Sequence, residues 1–385
     1  MKKLSLISIS LLLLCCKSNA SQSSVETNDT IPAEPVEQQD HKVSLLFVGD
    51  LMQHGVQYKA ALNAGDGKKY DYEEVFRYVK DEISAADVAI GNFETTTAGG
   101  APSTYPQFNA PDEYMIACKD AGFDILLTAN NHSVDKRAKG ITRTIQMCDS
   151  LGIPHIGTYA NQAERDREYP YVLEYNGLRI GLLCYTYGTN GIAVPAPCIV
   201  NLIDKEQMTK DIKKLKAQKV DCIIANVHWG TEHALLPNSS QKELADWLFA
   251  QGVDHIIGGH PHVVEPVEVR EGKDGSKHVL VYSLGNYVSN MSKPNNDGGM
   301  MVKLVLTKNM NTSVTTLDSA SYSLTWVSRP VMSGHKNFRI YPASVPEDML
   351  NSAEKAQLNK TLKTERELFE KHNKGIEEYQ ITWTK

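Results

Sequence analysis

A turn carrying two histidines follows an apolar segment at residues 253–262, and it constrains the fold more than any other feature of the chain. The β-branched run ends in two glycines, which is typical of a buried strand that enters a turn. His260 and His262 lie two residues apart, and Pro261 restricts the backbone between them. Neutral imidazole is the commonest metal ligand in proteins. The turn therefore predicts ligands for one ion or for two neighbouring ions, or else a turn with solvated histidines.

Short apolar segments alternate with amphipathic ones from residue 43 onward, which predicts an α/β domain with a largely parallel sheet. Strands are predicted at residues 43–48, 86–90, 123–128, 179–185, 222–227, 253–257, 279–284, 300–306 and 322–327. Helices are predicted at residues 72–84, 111–121, 140–151, 204–217, 241–251 and 350–375, and a closing strand at 379–383.

Acids, amides and imidazoles recur at the carboxyl ends of these strands, where open α/β sheets bind their ligands. They are Asp50 with His54, Asn92 with Glu94, Asn131 with His132, His228, His260 with His262, and Asn286. A strand that only packs in a core needs no such residue at its end, so we interpret the set as one shared site. Carboxylates and imidazoles suit zinc, iron or manganese. Glu94 is the candidate to bridge two ions, because Asn92 is uncharged, and His132 is the candidate general acid.

These segments resemble the metallophosphoesterase superfamily and, within it, the CapA (PgsA) family of poly-γ-glutamate capsule biosynthesis proteins. The resemblance covers residues 43–290 and rests on six motifs in the expected order. They are Val48-Gly49-Asp50, Gly91-Asn92-Phe93-Glu94, Thr128-Ala129-Asn130-Asn131-His132 with Asp135 and Gly140 beyond it, His228-Trp229-Gly230-Thr231-Glu232, Gly258-Gly259-His260-Pro261-His262, and Ser283-Leu284-Gly285-Asn286.

The resemblance implies a four-layer α/β/β/α sandwich with two divalent ions, manganese, iron or zinc. One ion would be held by Asp50, Glu94 and His262, and the other by Glu94, Asn131, His228 and His260. His132 would lie near the substrate. Asp135 either orients His132 or places a charge at the start of the next helix. The candidates for substrate contact are Asn92, Asn130, His54, Trp229, Glu232 and Asn286. Packing is the favoured interpretation for Trp229, whereas Glu232 and His233 either line the site or cap the next helix.

The chain departs from the wider superfamily at the site. The usual Asp-x-His is Asp50-Leu51-Met52, which lacks the second ligand, and His54 projects in a different direction along the chain. The second and third motifs also lack an acid each, at Asn92 and at Ser133. Reduced charge at one metal argues against ordinary phosphodiester hydrolysis.

Three functions remain open. The first is an exported metal-dependent hydrolase of an anionic envelope polymer, or of a related ester or amide, in capsule biosynthesis or processing. The second is a binding or assembly factor in a capsule synthesis or export complex, with a degraded metal site. The third is a broad phosphatase or nucleotidase. Asn190 and the Pro-rich loop 194–197 form either a lid over the site or a plain connection.

The N-terminus predicts export. A basic start and the apolar run 4–14 indicate a signal peptide over residues 1–20. Leu13-Leu14-Cys15-Cys16 resembles a lipobox with Cys16 as the lipidated residue, whereas Ser18-Asn19-Ala20 resembles an ordinary cleavage site. The protein is accordingly expected in the cell envelope, as a lipoprotein anchored to the membrane or as a periplasmic or secreted soluble protein. Residues 21–42 are predicted to be a disordered linker, 43–330 the domain, and 331–385 an extension that packs on it.

Composition excludes some classes of function. Hydrophobic content of 41% and charged content of 22% are those of a globular protein. A net charge of −6 without a basic stripe argues against nucleic acid as a partner. Five cysteines follow the signal region without a CxxC pair, which argues against a disulfide framework and a zinc ribbon. Cys222 lies in an apolar run and is predicted to be a buried thiol.

Overall fold

Two large β-sheets carry the fold in residues 40–382, the part of the chain that the computed structural model describes. The strands are β1 (His41–Leu51), β2 (Val88–Phe93), β3 (Ile125–Leu127), β4 (His155–Ile156), β5 (Thr158–Tyr159), β6 (Tyr171–Tyr175), β7 (Leu178–Thr186), β8 (Ile199–Val200), β9 (Cys222–His228), β10 (His255–Gly259), β11 (Val267–Glu271), β12 (Lys277–Val281), β13 (Asn286–Val288), β14 (Gly298–Lys308), β15 (Thr315–Ser328), β16 (Arg339–Pro342) and β17 (Glu377–Glu378). The α-helices are α1 (Gly55–Ala64), α2 (Glu73–Phe76), α3 (Lys80–Ala85), α4 (Asp112–Ala121), α5 (Arg137–Leu151), α6 (Gln162–Glu168), α7 (Lys205–Ala217), α8 (Ser239–Ala250), α9 (Pro330–Ser333) and α10 (Ser352–His372).

Both sheets combine parallel and antiparallel strands. The first sheet runs β16-β15-β14-β1-β2-β3-β4; it is parallel from β1 to the edge strand β4, and β14, β15 and β16 on the other side pair antiparallel. The second runs β11-β12-β10-β9-β7-β6, with a parallel centre from β12 to β7 and an antiparallel strand at each edge. The predicted parallel strands are confirmed in both sheets. The antiparallel strands come from hairpins and long strands that an alternation of strand and helix does not reveal.

Alternating side chains of β1 divide the core into layers. Leu45 and Phe47 face the second sheet, whereas Leu46 and Val48 belong to a separate apolar cluster with α4. Side chains of the second sheet, of α7 and of α8 belong to the same apolar core as Leu45 and Phe47 of the first sheet. Each fully buried leucine or phenylalanine contributes roughly 1.5 to 3 kcal/mol of transfer free energy. The order helix, sheet, sheet, helix confirms the predicted four-layer α/β/β/α sandwich.

Parallel pairing brings the polar strand ends to one edge. Asp50 is the register partner of Asn92 on β2 and of Asn286 on β13. In the second sheet, Gly259 pairs with His228. Gly49 allows the close approach that this requires, since a Cβ there would collide with the carbonyl oxygen of Gly285.

Two predicted elements differ from the structure. The helix predicted over 72–84 is broken into α2 and α3, because Val79 has φ of −125° and ψ of −8°. The closing strand lies at Glu377–Glu378, where it pairs with β15, and not at 379–383; residue 383 lies outside the described residues.

The segment after residue 330 is built into the first sheet and its surface. Strand β16 is an edge strand beside β15, and α10 packs on β14 and β15. The predicted linker 21–42 overlaps β1, which begins at His41. The signal peptide, Cys16 and the rest of the linker lie outside the described residues.

The five described cysteines, Cys222 among them, are buried free thiols. Among residues 40–382, none of the helices combines the length and the apolar character needed to cross a bilayer.

Replacing Gly49 by alanine should lower the free energy of unfolding by about 3 kcal/mol, because the added methyl overpacks the contact with Gly285. Urea unfolding measures this change. Gly188→Ala is the matched control, since a Cβ at Gly188 would meet no atom within 4 Å. Equal losses in the two variants would contradict the close-approach argument.

His255 should make the fold acid-sensitive. Its imidazole is buried and Nδ1 accepts a hydrogen bond from the amide of Val279 at 3.1 Å. Burial lowers the pKa of His255 from 6.5 to about 3, so the unfolded chain takes up the proton first as the pH falls. Stability is therefore lost progressively below pH 6.5, by about 2 kcal/mol at pH 5.

Unfolding of the wild type and of His255→Gln at pH 7 and pH 5 measures this contribution. The wild type should lose about 2 kcal/mol more than the variant on acidification. His372→Gln, which changes an exposed histidine, should behave like the wild type. A His255→Gln variant with the wild-type pH dependence would refute the assignment.

Candidate metal centre

Glu94 is the central group of the site. It directly follows β2, is fully buried, and has no hydrogen-bond partner on either carboxylate oxygen among the described residues. Its Oε1 lies 3.7 Å from Nε2 of His228 and 3.6 Å from Nε2 of His262. Burial, and next the neighbouring Asp50, raise the pKa of Glu94 well above its usual value. A buried carboxylate without hydrogen bonds is costly unless a cation or a proton compensates it.

Two groups of potential metal ligands share Glu94. In one, Glu94 meets His260 and His262; in the other, it meets Asp50 and His228. The ligand atoms within each group lie within 4.8 Å of one another, and all five residues are buried. The shared carboxylate is the one proposed from the sequence as a bridge. The histidines are divided differently from the predicted sets, because His262 faces Asp50 with Nδ1 and Glu94 with Nε2.

Asp50 is held by an amide network on the neighbouring strand ends. Asn92 Nδ2 donates to Asp50 Oδ1 at 2.8 Å and lies 3.3 Å from His228 Nδ1. Asn130 Nδ2 in turn donates to Asn92 Oδ1 at 3.2 Å. The other Asp50 oxygen, Oδ2, has no hydrogen bond in the described part of the chain and lies 3.1 Å from His262 Nδ1. The amides therefore orient Asp50 through its Oδ1 atom, and Oδ2 can bind a cation.

The histidine turn after β10 has a strained backbone. His260 has φ of +99° and His262 has φ of +58°, a region that residues other than glycine rarely adopt. The turn is held by the amide of His233, which donates to Pro261 O at 2.7 Å, and by Asn296 Nδ2, which donates to His262 O at 2.7 Å. Such strain persists where surrounding contacts over-determine the backbone, and it is common at functional sites.

Two imidazoles of the site, those of His228 and His260, are kept neutral by their surroundings. Burial, and next the neighbouring His262, lower the pKa of His260 to about 3. Burial and the nearby His260 lower the pKa of His228 well below its usual value. Metal ligation requires the neutral form. His260 Nδ1 has no hydrogen-bond partner in residues 40–382, so one lone pair is free for a ligand bond.

Asn131 completes the side of the site near His228. Its Oδ1 lies 2.9 Å from His228 Nε2, and its Nδ2 donates to Asn190 Oδ1 at 3.2 Å. The amide oxygen therefore faces the candidate centre, as expected for a ligand oxygen.

His132 lies beside the centre and outside both ligand groups. Its Nδ1 is 2.7 Å from Asp135 Oδ2, and the same oxygen accepts from the amide of Phe108 at 2.6 Å. The Phe108 ring packs edge-on against His132 at 4.5 Å. Asp135 precedes α5 but is aimed at His132. The arrangement supports the orienting role, and it leaves Nε2 of His132 available for proton transfer.

His54 does not replace the second ligand of the Asp-x-His motif, which is absent in this chain. Met52 is fully buried, and His54 caps α1, with Nδ1 3.1 Å from Gln57 Oε1 and 3.3 Å from the amide of Asn290. His54 contacts the Phe108 ring at 5.0 Å and so lies on the His132 side. It belongs to neither ligand group.

Four residues predicted to contact substrate have polar groups that are hydrogen-bonded to other groups inside the protein. Asn130 donates to Phe93 O at 2.9 Å, and Asn286 donates to Asn296 O at 2.9 Å. Trp229 donates to Tyr282 O at 2.8 Å from a buried position. The fourth is Asn92, which holds Asp50. These hydrogen bonds support the ligands or the packing, and contact of the four residues with substrate stays a prediction. Glu232 remains at the rim, with 48% of its side chain exposed.

The fold brings three further residues to the site, and sequence reasoning missed two of them, Tyr187 and Asn296. Tyr187, after β7, packs its ring 4.5 Å from His260 and is half exposed. His233, which was predicted with Glu232 either to line the site or to cap the next helix, is hydrogen-bonded to Asn296 at 3.2 Å, and both support the His262 turn. No sequence signal marks Tyr187 or Asn296, because they approach the site only through tertiary packing.

The donor set fits divalent cations. Four atoms of these two ligand groups have no hydrogen-bond partner among residues 40–382, namely both oxygens of Glu94, Oδ2 of Asp50 and Nδ1 of His260. Carboxylate oxygens and neutral imidazoles are the ligands that zinc, iron and manganese accept.

Two solved structures are similar to this chain at low sequence identity. A phosphatase of Mycoplasma pneumoniae is 17% identical, with a TM-score of 0.41, and the match covers 74% of this chain and 94% of that one. The calcineurin-like phosphoesterase YfkN of Bacillus subtilis is 14% identical, with a TM-score of 0.40 and coverage of 86% and 99%.

Two relatives are similar in sequence. The capsule biosynthesis protein CapA of Bacillus anthracis is 30% identical over 261 residues, which are 65% of this chain and 60% of that protein. The PGA biosynthesis protein CapA of Bacillus subtilis is 29% identical over 283 residues, or 70% and 69% of the two chains. The profile of the bacterial capsule synthesis protein family PGA_cap matches residues 44–291, which contain every residue of the two ligand groups. This chain therefore belongs to the PGA_cap family of bacterial capsule synthesis proteins.

Proposed function

We propose that this protein is an exported, metal-dependent hydrolase that acts on an anionic envelope polymer of the poly-γ-glutamate type, or on a related ester or amide, during capsule biosynthesis or processing. The observation that carries the proposal is Glu94, a fully buried carboxylate without hydrogen bonds that two groups of ligands share. The polymer is suggested by the family and by the name of the Bacillus subtilis relative, of which this chain matches 69%.

Two divalent cations fit the site and would be held by Asp50, Glu94, Asn131, His228, His260 and His262. Bound there, they would supply a water of lowered pKa and positive charge for the developing anion. The chain's own residues do the rest. Asp135 holds the Nδ1 proton of His132, so that Nε2 can give a proton to the leaving group.

Export is proposed from the signal-peptide pattern of residues 1–20. A lipid on Cys16 would place the tether 21–39 between the membrane and β1, whereas cleavage after Ala20 would give a soluble envelope protein.

A second function is favoured by one observation, the buried apolar Met52 in place of the usual second ligand. With that ligand absent, the domain would bind anionic polymer as part of a synthesis or export complex without hydrolysing it.

Metal analysis of residues 21–385 tests the centre. The purified protein, after reconstitution with manganese, iron or zinc, should hold two ions per chain, and Glu94→Gln should lose both, because it removes the shared charge. Glu365→Gln is the matched control. Glu365 is also fully buried without hydrogen bonds on either oxygen, but it lies on α10 and in neither ligand group. Full metal content in Glu94→Gln would refute the proposed centre.

Hydrolysis is tested with phosphate esters and with glutamyl polymers. His132→Ala should lower kcat by roughly 10²- to 10⁴-fold, because the general acid is lost. Asp135→Asn should lower kcat by a smaller factor, because the imidazole remains but loses its carboxylate partner. Both variants should retain the wild-type metal content.

If the wild-type protein holds two ions and binds polymer but turns over none of the substrates, hydrolysis is refuted and the assembly role is supported. If His132→Ala turns over substrate at the wild-type rate, the assignment of His132 as the general acid is refuted, while the metal centre and the hydrolytic function stand.

A further inference from the structure

A tight turn after β7 reaches over the candidate centre. Thr189 and Ile192 close it, because the amide of Ile192 donates to Thr189 O at 2.9 Å and Thr189 Oγ1 donates to Ile192 O at 2.6 Å. Asn190 and Gly191, the central residues, have φ of +52° and +73°. An Asn-Gly pair suits a turn with two positive φ values. The turn thus presents the Asn190 side chain in a fixed position.

The Asn190 side chain contacts the nitrogen end of the Asn131 amide. Asn131 Nδ2 donates to Asn190 Oδ1 at 3.2 Å, while Asn131 Oδ1 lies 2.9 Å from His228 Nε2. Asn131 is buried, whereas Asn190 is exposed, so the contact extends from the surface into the site.

Tyr187, at the start of the same loop, anchors the loop beside the centre. Its backbone amide donates to His228 O at 3.0 Å, and its ring packs 4.5 Å from His260. The loop that carries Asn190 is therefore fixed against two of the candidate ligands.

An amide offers a metal only one of its two ends. The oxygen has lone pairs, whereas the NH₂ group is a donor and cannot bind a cation. The two orientations have nearly the same shape, so packing alone does not select between them. The acceptor on the nitrogen side, Asn190 Oδ1, selects the orientation with the oxygen toward His228.

We propose that Asn190 is a positioning residue that holds the Asn131 amide with its oxygen toward the centre. The inference rests on the proposed metal site and adds a role for the loop after β7. Partners that orient a ligand typically change metal affinity by roughly 10- to 100-fold when they are removed.

The test is titration of metal-free protein with Mn²⁺, with free Mn²⁺ measured by electron paramagnetic resonance. Asn190→Ala should lower the Mn²⁺ affinity of the weaker of the two sites by on the order of 10-fold. Asn190→Asp keeps an acceptor for Nδ2 and should bind at least as tightly as the wild type.

A double variant separates orientation from general damage. If Asn190 acts through Asn131, then Asn131→Ala and Asn131→Ala/Asn190→Ala should bind Mn²⁺ equally. Additive losses would overturn the inference.

A matched control exists elsewhere in the chain. Asn176→Ala removes an asparagine with φ of +45° from another Asn-Gly turn, where Nδ2 donates to Lys42 O. This variant should bind Mn²⁺ like the wild type.

The outcomes separate this inference from the proposed function. Two ions bound by the wild type, with Asn190→Ala unchanged, would overturn the inference and leave the metal centre intact. No Mn²⁺ bound by the wild type would overturn the metal-dependent function, and the inference with it.

Discussion

The uncompensated charge of Glu94 is the constraint on which the site depends. Desolvation of a carboxylate without hydrogen bonds costs several kcal/mol, and the neighbouring Asp50 increases that cost. A fold that places such a group at the meeting point of two sheets needs a cation or a proton there. The neutral imidazoles around it are suited to share a cation and unsuited to supply the positive charge themselves, because burial disfavours their protonation.

The fold brings these groups together through parallel pairing and one strained turn. Pairing of β1 with β2 and with β13 sets Asp50 beside Asn92 and Asn286, and pairing of β9 with β10 sets His228 beside the histidine turn. The positive φ values of His260 and His262 then direct both imidazoles back toward the sheet edge, where Asn296 and His233 hold the turn. Strain at the turn and burial at Glu94 are both destabilising, and the large two-sided core is what sustains them.

Much of the fold and of the candidate site could be predicted from the sequence, because short local segments encode the strands and the residues at their ends. Apolar runs that end in Asp50, Glu94, His228 and His260 give the strands, their ends and the ligand types. What could not be predicted depends on contacts between distant segments. The break at Val79 lies inside a good helical pattern, and the commitment of Asn286 to the His262 turn depends on β13 pairing with β1. The division of the histidines between the two groups depends on which nitrogen of His262 faces Glu94, and no sequence spacing encodes that.

Neutral residues, Asn92 and Ser133, stand where the family resemblance leads to the expectation of acids, and this changes the electrostatics of the centre. Asn92 and Asn130 are neutral, so they orient Asp50 and its neighbours without adding negative charge. The ligand groups then contain two carboxylates, Asp50 and Glu94, beside neutral histidines. Two divalent cations bound there would leave the centre with net positive charge. Such a centre attracts an anionic chain whether or not it cleaves one, and so the hydrolytic and the polymer-binding functions share the same physical basis. What separates them is the proton transfer at His132, which only hydrolysis requires.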